Sequence, residues 1–162
     1  MKRDNSKENY TCAKKIENLE EQLNINIRFE TKDIDWNTVS SLLEVAGLSS
    51  AEPEICKRAF LNSQVTVFVF DNDKLIGVSR AISDCVKQAA IYDVAVLPEY
   101  QGKGIGRILI ENITNKLPGC NFILYSNSGK EDFYRKFGFK LMKTGMAKFV
   151  NAERMKERGF TE

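Results

Sequence analysis

The feature that most limits how this chain can fold is a run of alternating glycines, Gly102, Gly104 and Gly106. The apolar residues 88–97 before it predict a buried strand, and the apolar spacing after it predicts an amphipathic helix. Without side chains, the backbone N–H groups of the run can approach a ligand closely. Because the N–H groups of a helix start are unpaired and partly positive, the run favours a phosphate or pyrophosphate site over its alternative, a flexible surface turn.

Two common nucleotide-binding loops do not match this run. The dinucleotide fingerprint Gly-x-Gly-x-x-Gly would need its third glycine where Arg107 or Leu109 stands. The Walker loop needs Ser or Thr after Gly-Lys, and here the lysine that follows Gly102 is followed by Gly104. Both nucleotide-binding interpretations are therefore weak.

Composition excludes several kinds of catalytic site. The 162 residues contain no histidine, so a Ser-His-Asp or Cys-His pair, a histidine base and a zinc site with imidazole ligands are impossible. The cysteines lack a Cys-x-x-Cys pair, which predicts free thiols in a reducing compartment and no metal. They are Cys12, Cys56, Cys85 and Cys120.

Size and charge favour a single cytoplasmic domain. A chain of 162 residues with 43% hydrophobic residues is large enough for one domain with its own core. The formal net charge of +2 argues against nucleic acid or an anionic membrane as a partner. An apolar run of about 18 residues and a signal-peptide pattern are both missing, which predicts a cytoplasmic protein.

Hydrophobic periodicity predicts a mixed α/β fold. The predicted strands are 25–29, 64–70, 74–82, 88–97, 121–125, 139–142 and 146–150, and the predicted helices are 36–46, 53–61, the glycine run to 117, and 131–137. This order indicates antiparallel hairpins first and a parallel strand–helix–strand unit around the glycines. We expect a mostly antiparallel sheet of about six to seven strands, flanked by about four helices. Residues 1–24 are expected to form a tail or an accessory helix, and 151–162 a tail compatible with a helix.

Two motifs resemble the GNAT acyltransferase superfamily. The first is Gln101-x-x-Gly104-x-Gly106 after Val94-Ala95-Val96-Leu97-Pro98, and it matches the superfamily pattern Gln/Arg-x-x-Gly-x-Gly/Ala. The second is Asn127 followed by Phe133-Tyr134-Arg135-Lys136-Phe137-Gly138-Phe139, which matches an asparagine and then Phe-Tyr-x-x-x-Gly-Phe. Both motifs occur in the superfamily's order and spacing. The resemblance implies an N-acetyltransferase domain over about residues 25–150, with a splayed pair of parallel strands in its sheet.

The resemblance implies a coenzyme A site made mostly of backbone groups. The glycine run would hold the pyrophosphate, and the strand before it would pair with the pantetheine arm. Asn127 would contact the pantetheine amide or help to shape the acceptor side. The side chains of Lys103 and Arg107 would either reach phosphate oxygens or form a solvated basic pair. The implied coenzyme-binding residues are Val94, Ala95, Val96, Gln101, Gly102, Lys103, Gly104, Ile105, Gly106, Arg107, Asn127 and Tyr134.

The reaction that the resemblance implies works without histidine. A primary amine would attack the thioester of acetyl-CoA directly in a ternary complex, and a backbone N–H of the strand would stabilise the oxyanion. Tyr134 would act as the general acid for the departing thiolate. The amine must first lose a proton, because a free alkylammonium has a pKa of about 10.4.

The identity of the base stays open at this point. Some members of the superfamily carry a glutamate where Ala90 stands, which leaves Asp93 and Asp84 as acidic candidates nearby. Asp93 lies in an apolar strand, where a carboxylate is costly without partners, so it is either a catalytic base or a structural hydrogen-bond acceptor. Deprotonation through water is a third option. Cys85 and Cys120 are interpreted as thiols without a nucleophilic role, because no histidine can activate them.

The sequence therefore predicts an N-acetyltransferase that uses acetyl-CoA and a small primary amine. The residues around Asp93 and Phe133-Tyr134 resemble small-amine members most, including arylalkylamine-type enzymes. Amino acids, polyamines and protein amines stay open as acceptors. The alternative is a non-catalytic acyl-CoA-binding or sensor module on the same fold. Tyr134 favours catalysis, because a binding module needs no acid beside the sulfur. A homodimer is the default expectation for the oligomeric state.

Overall fold

The computed structural model describes residues 23–48 and 52–162, so most of the predicted accessory segment lies outside the described residues. A 3₁₀ turn, Pro98–Tyr100, leads from the fourth strand to the glycine run. The chain divides after Ile123 into two compact units. In chain order, the elements are β1 (Ile25–Arg28), α1 (Trp36–Val45), α2 (Pro53–Leu61), β2 (Val65–Asp71), β3 (Lys74–Ser83), β4 (Gln88–Val96), α3 (Ile105–Lys116), β5 (Asn121–Ile123), α4 (Glu131–Arg135) and α5 (Ala152–Glu157).

The strands of the first unit form one sheet in the order β1-β2-β3-β4-β5. The pairs β1–β2, β2–β3 and β3–β4 are antiparallel, and β4–β5 is parallel. β4 therefore has a neighbour on each side at 89–90, as its nearly continuous apolar sequence predicts. The antiparallel hairpins and the parallel unit around the glycine run are confirmed.

Local signals in the sequence determine where the helices begin and end. Asp35 is the N-cap of α1, and its Oδ1 accepts a hydrogen bond of 3.0 Å from the Asn37 N–H. Gly47 follows α1 with a φ of 81°, a left-handed conformation that ends many helices. Pro53 opens α2 at a position where no N–H is needed. None of the helices in the described part of the chain is long and apolar enough to cross a membrane.

The helices of the first unit cover the sheet on both faces. Phe68, Val78 and Ala95 are register neighbours on β2, β3 and β4, and all three belong to the core shared with α1 and α2. Gly77 points to the other face, because side chains alternate along a strand. A Cβ on Gly77 would lie 2.9 Å from the Ile105 side chain at the start of α3. The opposite face therefore packs against α3.

The sheet has five strands in the described chain, fewer than the six to seven that the sequence predicts. The strands predicted at 139–142 and 146–150 are wrong, because these residues have no regular secondary structure. Leu141 is 66% exposed and Met146 is 99% exposed, so these two apolar side chains are left uncovered, whereas Phe139 and Phe149 contact other aromatic rings. An extended segment is stable only where a neighbouring strand satisfies its backbone, and composition does not show whether one is available.

Two further elements of the C-terminal part are shorter than predicted, and one signal there is confirmed. β5 ends at Ile123 and α4 ends at Arg135, instead of at 125 and 137. Such small differences at element ends are usual, because the last turn or ladder position has the fewest hydrogen bonds. α5 begins after Asn151, whose side chain caps it by accepting a hydrogen bond of 3.0 Å from the Arg154 N–H, so the tail does form a helix.

Candidate functional site

The glycine run follows a strand with one free edge. β4 pairs with β5 only near its start, and the last paired residue is Ala90. β4 then continues to Val96 beside β3, and no described strand lies along its other side. The Leu97 N–H donates to the Ile76 carbonyl of β3 at 2.9 Å, so the alternation of a strand turns the N–H groups of Val96 and Val94 to the free edge. This geometry is the splayed parallel pair that the resemblance implies.

A β-bulge lies in β4 where the strand loses its pairing with β5. Val78 pairs with Ala95, and Arg80 pairs with Tyr92, so one residue of β3 faces two residues of β4. One of those two is Asp93, whose φ of 53° is left-handed. Few residues other than glycine adopt this conformation, and aspartate is one that tolerates it. Bulges bend a strand locally, which agrees with the separation of β4 from β5.

A guanidinium holds the Asp93 side chain. Asp93 Oδ2 accepts a hydrogen bond of 2.5 Å from Arg80 Nε, and the side chains of Arg80 and Asp93 are only 14% and 27% exposed. A second nitrogen of Arg80 lies 3.3 Å from Ser63 Oγ, just after α2. Desolvation, and then the nearby Asp93 charge, raise the pKa of the Cys56 thiol in α2. Asp93 therefore faces α2, and Arg80 is the partner that a carboxylate in an apolar strand requires.

The other acidic candidate, Asp84, is engaged by the β3–β4 turn. Its Oδ1 accepts hydrogen bonds from the backbone N–H groups of Val86, Lys87 and Gln88 at 2.9, 2.8 and 3.0 Å. These bonds, with that of Gln88 the largest contribution, lower the pKa of the Asp84 carboxyl. A carboxylate stabilised in this way is a weak proton acceptor, so Asp84 is a poor candidate for a base.

The glycine run forms a helix start without a side-chain cap. Gly102 and Gly104 have φ values of 76° and 88°, which only glycine adopts at no steric cost. α3 begins at Ile105, directly after Gly104, and no side chain caps its first turn. The Arg107 N–H already donates to the Gly104 carbonyl at 3.0 Å, so the N–H groups at 104–106 are the ones that have no partner within the helix. The run therefore presents a partly positive backbone surface that is suited to a phosphate group.

The 3₁₀ turn before the glycine run is attached to the β2–β3 hairpin. The Tyr100 hydroxyl donates to Asp71 Oδ2 at 3.0 Å, and the Lys74 ammonium donates to Glu99 at 2.9 Å. The hydrogen bond to Asp71 raises the pKa of Tyr100, and the one from Lys74 lowers the pKa of Glu99. These contacts connect the 3₁₀ turn, which leads into the glycine run, to the β2–β3 hairpin that lies about thirty residues earlier in the chain.

The two basic side chains of the run contact groups of the protein itself. The Lys103 ammonium lies 5.1 Å from the centre of the Tyr100 ring. The Arg107 guanidinium forms an ion pair of 2.8 Å with Glu111, one turn further along α3. Both contacts are partly exposed and would compete with a phosphate for the cations. A direct role of Lys103 and Arg107 in phosphate binding stays a prediction.

The second unit carries Asn127 and Tyr134. Asn127 Oδ1 accepts a hydrogen bond of 3.1 Å from Arg158, which leaves the amide nitrogen of Asn127 as a donor. Tyr134 lies in α4, and the centre of its ring is 4.9 Å from that of Phe133 and 6.1 Å from that of Phe139. Burial raises the pKa of the Tyr134 hydroxyl, so the hydroxyl stays protonated at neutral pH. A protonated hydroxyl can donate its proton to a leaving group.

Sequence reasoning missed three residues that shape this region, Gly77, Arg80 and Tyr100. A signal existed for Arg80, because one cation in an apolar strand is predicted to face one carboxylate in the next apolar strand. A signal also existed for Gly77, since glycine within a strand often marks a close approach of another segment. Tyr100 had no signal, because its partner Asp71 becomes a neighbour only in the folded chain.

Comparison with known proteins decides the family. A profile of the acetyltransferase (GNAT) domain matches residues 63–141. The "uncharacterized N-acetyltransferase ycf52-like" of Prochlorococcus marinus is 32% identical over 123 residues, which cover 72% of this chain and 68% of that protein. This chain belongs to the GNAT acetyltransferase family. It is therefore an acyltransferase by family, and the family assignment made from its two motifs is confirmed.

Other relatives of this GNAT chain differ in length and name. "Serotonin N-acetyltransferase 2, chloroplastic" of rice is 28% identical over 71% of this chain and 61% of that protein. Three longer plant acetyltransferases match at 41% to 44% identity, and the chain spans only 27% to 32% of their length. Because the rice relative is named as chloroplastic, the cytoplasmic location stays a prediction.

A solved structure shows the same fold as this GNAT chain. A probable acetyltransferase from meticillin-resistant Staphylococcus aureus superposes with a TM-score of 0.70 at 25% identity, over 78% of this chain and 98% of that one. The mixed α/β fold class predicted from the sequence is confirmed, with five described strands instead of six to seven.

Proposed function

We propose that this GNAT chain transfers the acetyl group of acetyl-CoA to a primary amine of a small molecule, by direct attack of the amine in a ternary complex. One observation carries the proposal: the free edge of β4 leads directly into the uncapped, glycine-lined start of α3. A free strand edge can pair with an extended ligand that bears amide groups. A helix start of this kind can hold a pyrophosphate, and coenzyme A contains both parts in series.

The residues of the first unit fit coenzyme A as a ligand. An added Cβ on Gly102 would meet no atom within 4 Å, so the run presents an open surface to the pyrophosphate. The N–H groups of Val94 and Val96 face the free edge of β4 and would pair with the pantetheine amides, while Ala95 between them pairs with β3. The Asn127 amide nitrogen is a further proposed donor. Acetyl-CoA supplies the activated thioester.

We propose that Asp93 accepts the proton that the amine must lose before it attacks. The amine must be neutral to attack, and at neutral pH an alkylammonium is almost entirely protonated. Asp93 Oδ2 is held by Arg80, whereas no described residue donates a hydrogen bond to Oδ1. Asp93→Asn keeps a side chain that tolerates the left-handed backbone and can still accept from Arg80, but it cannot take a proton. We expect it to lower kcat by about 100-fold or more.

We propose that Tyr134 donates a proton to the leaving thiolate. Its hydroxyl is protonated at neutral pH because burial raises its pKa. No described residue accepts a hydrogen bond from this hydroxyl, so its proton is not committed elsewhere in the described chain. The oxyanion that precedes thiolate release would be stabilised by an N–H group on the free edge of β4. Binding, oxyanion stabilisation and proton transfer then need neither histidine nor an enzyme nucleophile.

The amine is proposed to carry an apolar body. Ile82, Ala90 and Ile123 are register partners across β3, β4 and β5, so their side chains share one face of the sheet. Both isoleucines are 49% exposed, and the residue between them is a small alanine. Uncovered apolar groups of this kind favour an apolar ligand. The rice relative named after serotonin, an aromatic amine, supports the same class.

A panel of amines with similar basicity tests this proposal. The purified protein is incubated with acetyl-CoA and 2-phenylethylamine, tryptamine, ethanolamine or spermidine, and the released thiol is measured. We expect the aromatic amines to give a kcat/KM at least about tenfold above that of ethanolamine, a difference of about 1.4 kcal/mol. Acetyl-CoA binding without turnover of any amine would support the sensor module instead. Equal kcat/KM values for all four amines would contradict the proposed apolar body of the amine but not the acetyltransferase activity.

A further inference from the structure

We propose that Arg80 is a positioning residue of this enzyme. Through its contact with Asp93, Arg80 fixes the bulge of β4, and thereby the direction of the Asp93 carboxylate and of the free backbone edge at 94–96. The proposal rests on the proposed function for its kinetic test, and on the geometry of the bulge alone for its spectroscopic test. Arg80 itself touches neither the thioester nor the amine in this scheme.

The bulge needs a restraint from outside its own strand. A left-handed φ of 53° at Asp93 is unfavourable for an L-residue, because Cβ crowds the following carbonyl group. The ladder between β3 and β4 is interrupted at the same place, so regular hydrogen bonds do not compensate. The contact from Arg80 Nε to Asp93 Oδ2 spans this interruption from the facing strand. It thus replaces the ladder contacts that the bulge removes.

Arg80 is itself held from several sides. One of its nitrogens lies 3.3 Å from Ser63 Oγ, whose hydroxyl donates to a carbonyl of α2 at 2.7 Å. The guanidinium carbon is 5.1 Å from the centre of the Tyr92 ring and 5.9 Å from that of Phe60. Only 14% of the Arg80 side chain is exposed. Since α2 and two aromatic rings set its position, Arg80 can serve as a fixed template for the bulge.

The Nε atom of Arg80 makes the contact with Asp93, and this allows a matched pair of variants. Glutamine places its amide nitrogen as many bonds from Cβ as arginine places Nε, so Arg80→Gln keeps a neutral donor that faces Asp93. Arg80→Met introduces a side chain as long as that of glutamine, and this side chain has no hydrogen-bond donor. We expect Arg80→Met to lower kcat at least tenfold and also to raise KM for acetyl-CoA, because the displaced edge at 94–96 would pair less well with the pantetheine arm. The kcat of Arg80→Gln is expected to be at least threefold above that of Arg80→Met. An equal kcat in the two variants would contradict the proposal.

A double-variant cycle tests whether Arg80 acts through Asp93. Asp93→Gly removes the carboxylate, while glycine adopts the left-handed backbone without strain. In this background, Arg80→Met is expected to change the remaining kcat less than twofold, because the group through which Arg80 acts is gone. A further tenfold loss in the same background would show that Arg80 acts independently of Asp93, and the proposal would be wrong.

Amide resonances provide a readout that does not depend on turnover. In ¹⁵N-labelled protein, the N–H resonances of Val94 and Val96 are expected to shift in Arg80→Met and to stay near their wild-type positions in Arg80→Gln. Unchanged resonances in folded Arg80→Met would overturn the proposal. If Arg80→Met does not fold, Arg80→Lys replaces it, since lysine keeps the charge without a donor at the Nε position. Should the wild type acetylate no amine, the proposed function fails, and these spectra still decide the role of Arg80.

Discussion

The γ2 methyl group of Ile105 lies 2.9 Å from the position that a Cβ on Gly77 would occupy. A methyl group of Leu109 and the carbonyl oxygen of Ala95 are each 3.4 Å from the same point. Gly77 belongs to β3, and Ile105 opens the helix whose first turn is proposed to hold the pyrophosphate. The missing side chain at Gly77 therefore sets how closely this helix start lies on the sheet.

Gly77→Ala is expected to displace the first turn of α3. An extra methyl group in a packed interior typically lowers the free energy of unfolding by about 1–3 kcal/mol, and the displaced turn should also weaken acetyl-CoA binding. Urea unfolding and calorimetric titration measure the two effects. Gly145→Ala is the matched control, because its added Cβ would come no nearer than 3.4 Å to the flexible Met142 side chain. Equal behaviour of the two variants would refute the role of Gly77.

Gly104→Glu is expected to abolish most of the acetyl-CoA affinity. The new side chain would occupy the phosphate-suited surface, and its charge would repel a pyrophosphate. Gly119→Glu is the control for backbone strain, because Gly119 has a φ of 86° close to the 88° of Gly104 but follows the other end of α3. We expect the dissociation constant to rise at least about tenfold, or 1.4 kcal/mol, in the first variant only. An increase below about threefold in folded Gly104→Glu would show that the phosphate site is elsewhere.

Tyr100→Phe is expected to loosen the turn that precedes the glycine run. The variant keeps the ring beside Lys103 and loses only the hydrogen bond of 3.0 Å to Asp71. Loss of one hydrogen bond typically lowers stability by about 0.5–1.5 kcal/mol, and the effect should be local. Faster hydrogen exchange at residues 98–104, with little change in β3, is the expected result. Exchange rates equal to those of wild type would mean that Glu99 and Lys74 hold the turn without Tyr100.

Tyr134→Phe is expected to lower kcat by about 100-fold or more, in line with the loss of a general acid. The change keeps the ring contacts with Phe133 and Phe139 and removes only the hydroxyl. Affinity for acetyl-CoA should change little, because the proton is needed as the thiolate departs. Tyr125→Phe removes a hydroxyl from another ring of the second unit and serves as the control. A Tyr134→Phe enzyme with more than about half of the wild-type kcat would leave solvent as the proton source.

The raised pKa of Tyr134 also predicts a dependence of stability on pH. Because the hydroxyl binds its proton more tightly in the folded than in the unfolded chain, its contribution is fully present below the unfolded pKa of about 10. The contribution is lost as the pH rises through the higher folded pKa. Urea unfolding at pH 7 and above pH 10 is therefore expected to show a smaller alkaline loss of stability in Tyr134→Phe than in wild type. A parallel loss in both proteins would contradict the burial of the hydroxyl.

The elements with strong local signals were predictable. Asp35 caps α1, and Gly104 adopts the left-handed backbone at the start of α3, because each residue's own chemistry favours that conformation. The strands predicted at 139–142 and 146–150 carried only alternating apolar residues. Such a pattern describes a strand correctly where a partner and a buried face exist, and Met146 has neither.

The sequence by itself determined the hairpins, the starts of the helices, the glycine-lined turn and the family, since these depend on backbone preferences and on spacing along the chain. Tertiary structure decided what no spacing encodes. It placed the guanidinium of Arg80 on the lone carboxylate of β4, and it separated β4 from β5 after three paired positions. It also set α3 against Gly77. Each of these features needs two segments that are distant in sequence to become neighbours, and only the packing of the whole sheet selects which segments do so.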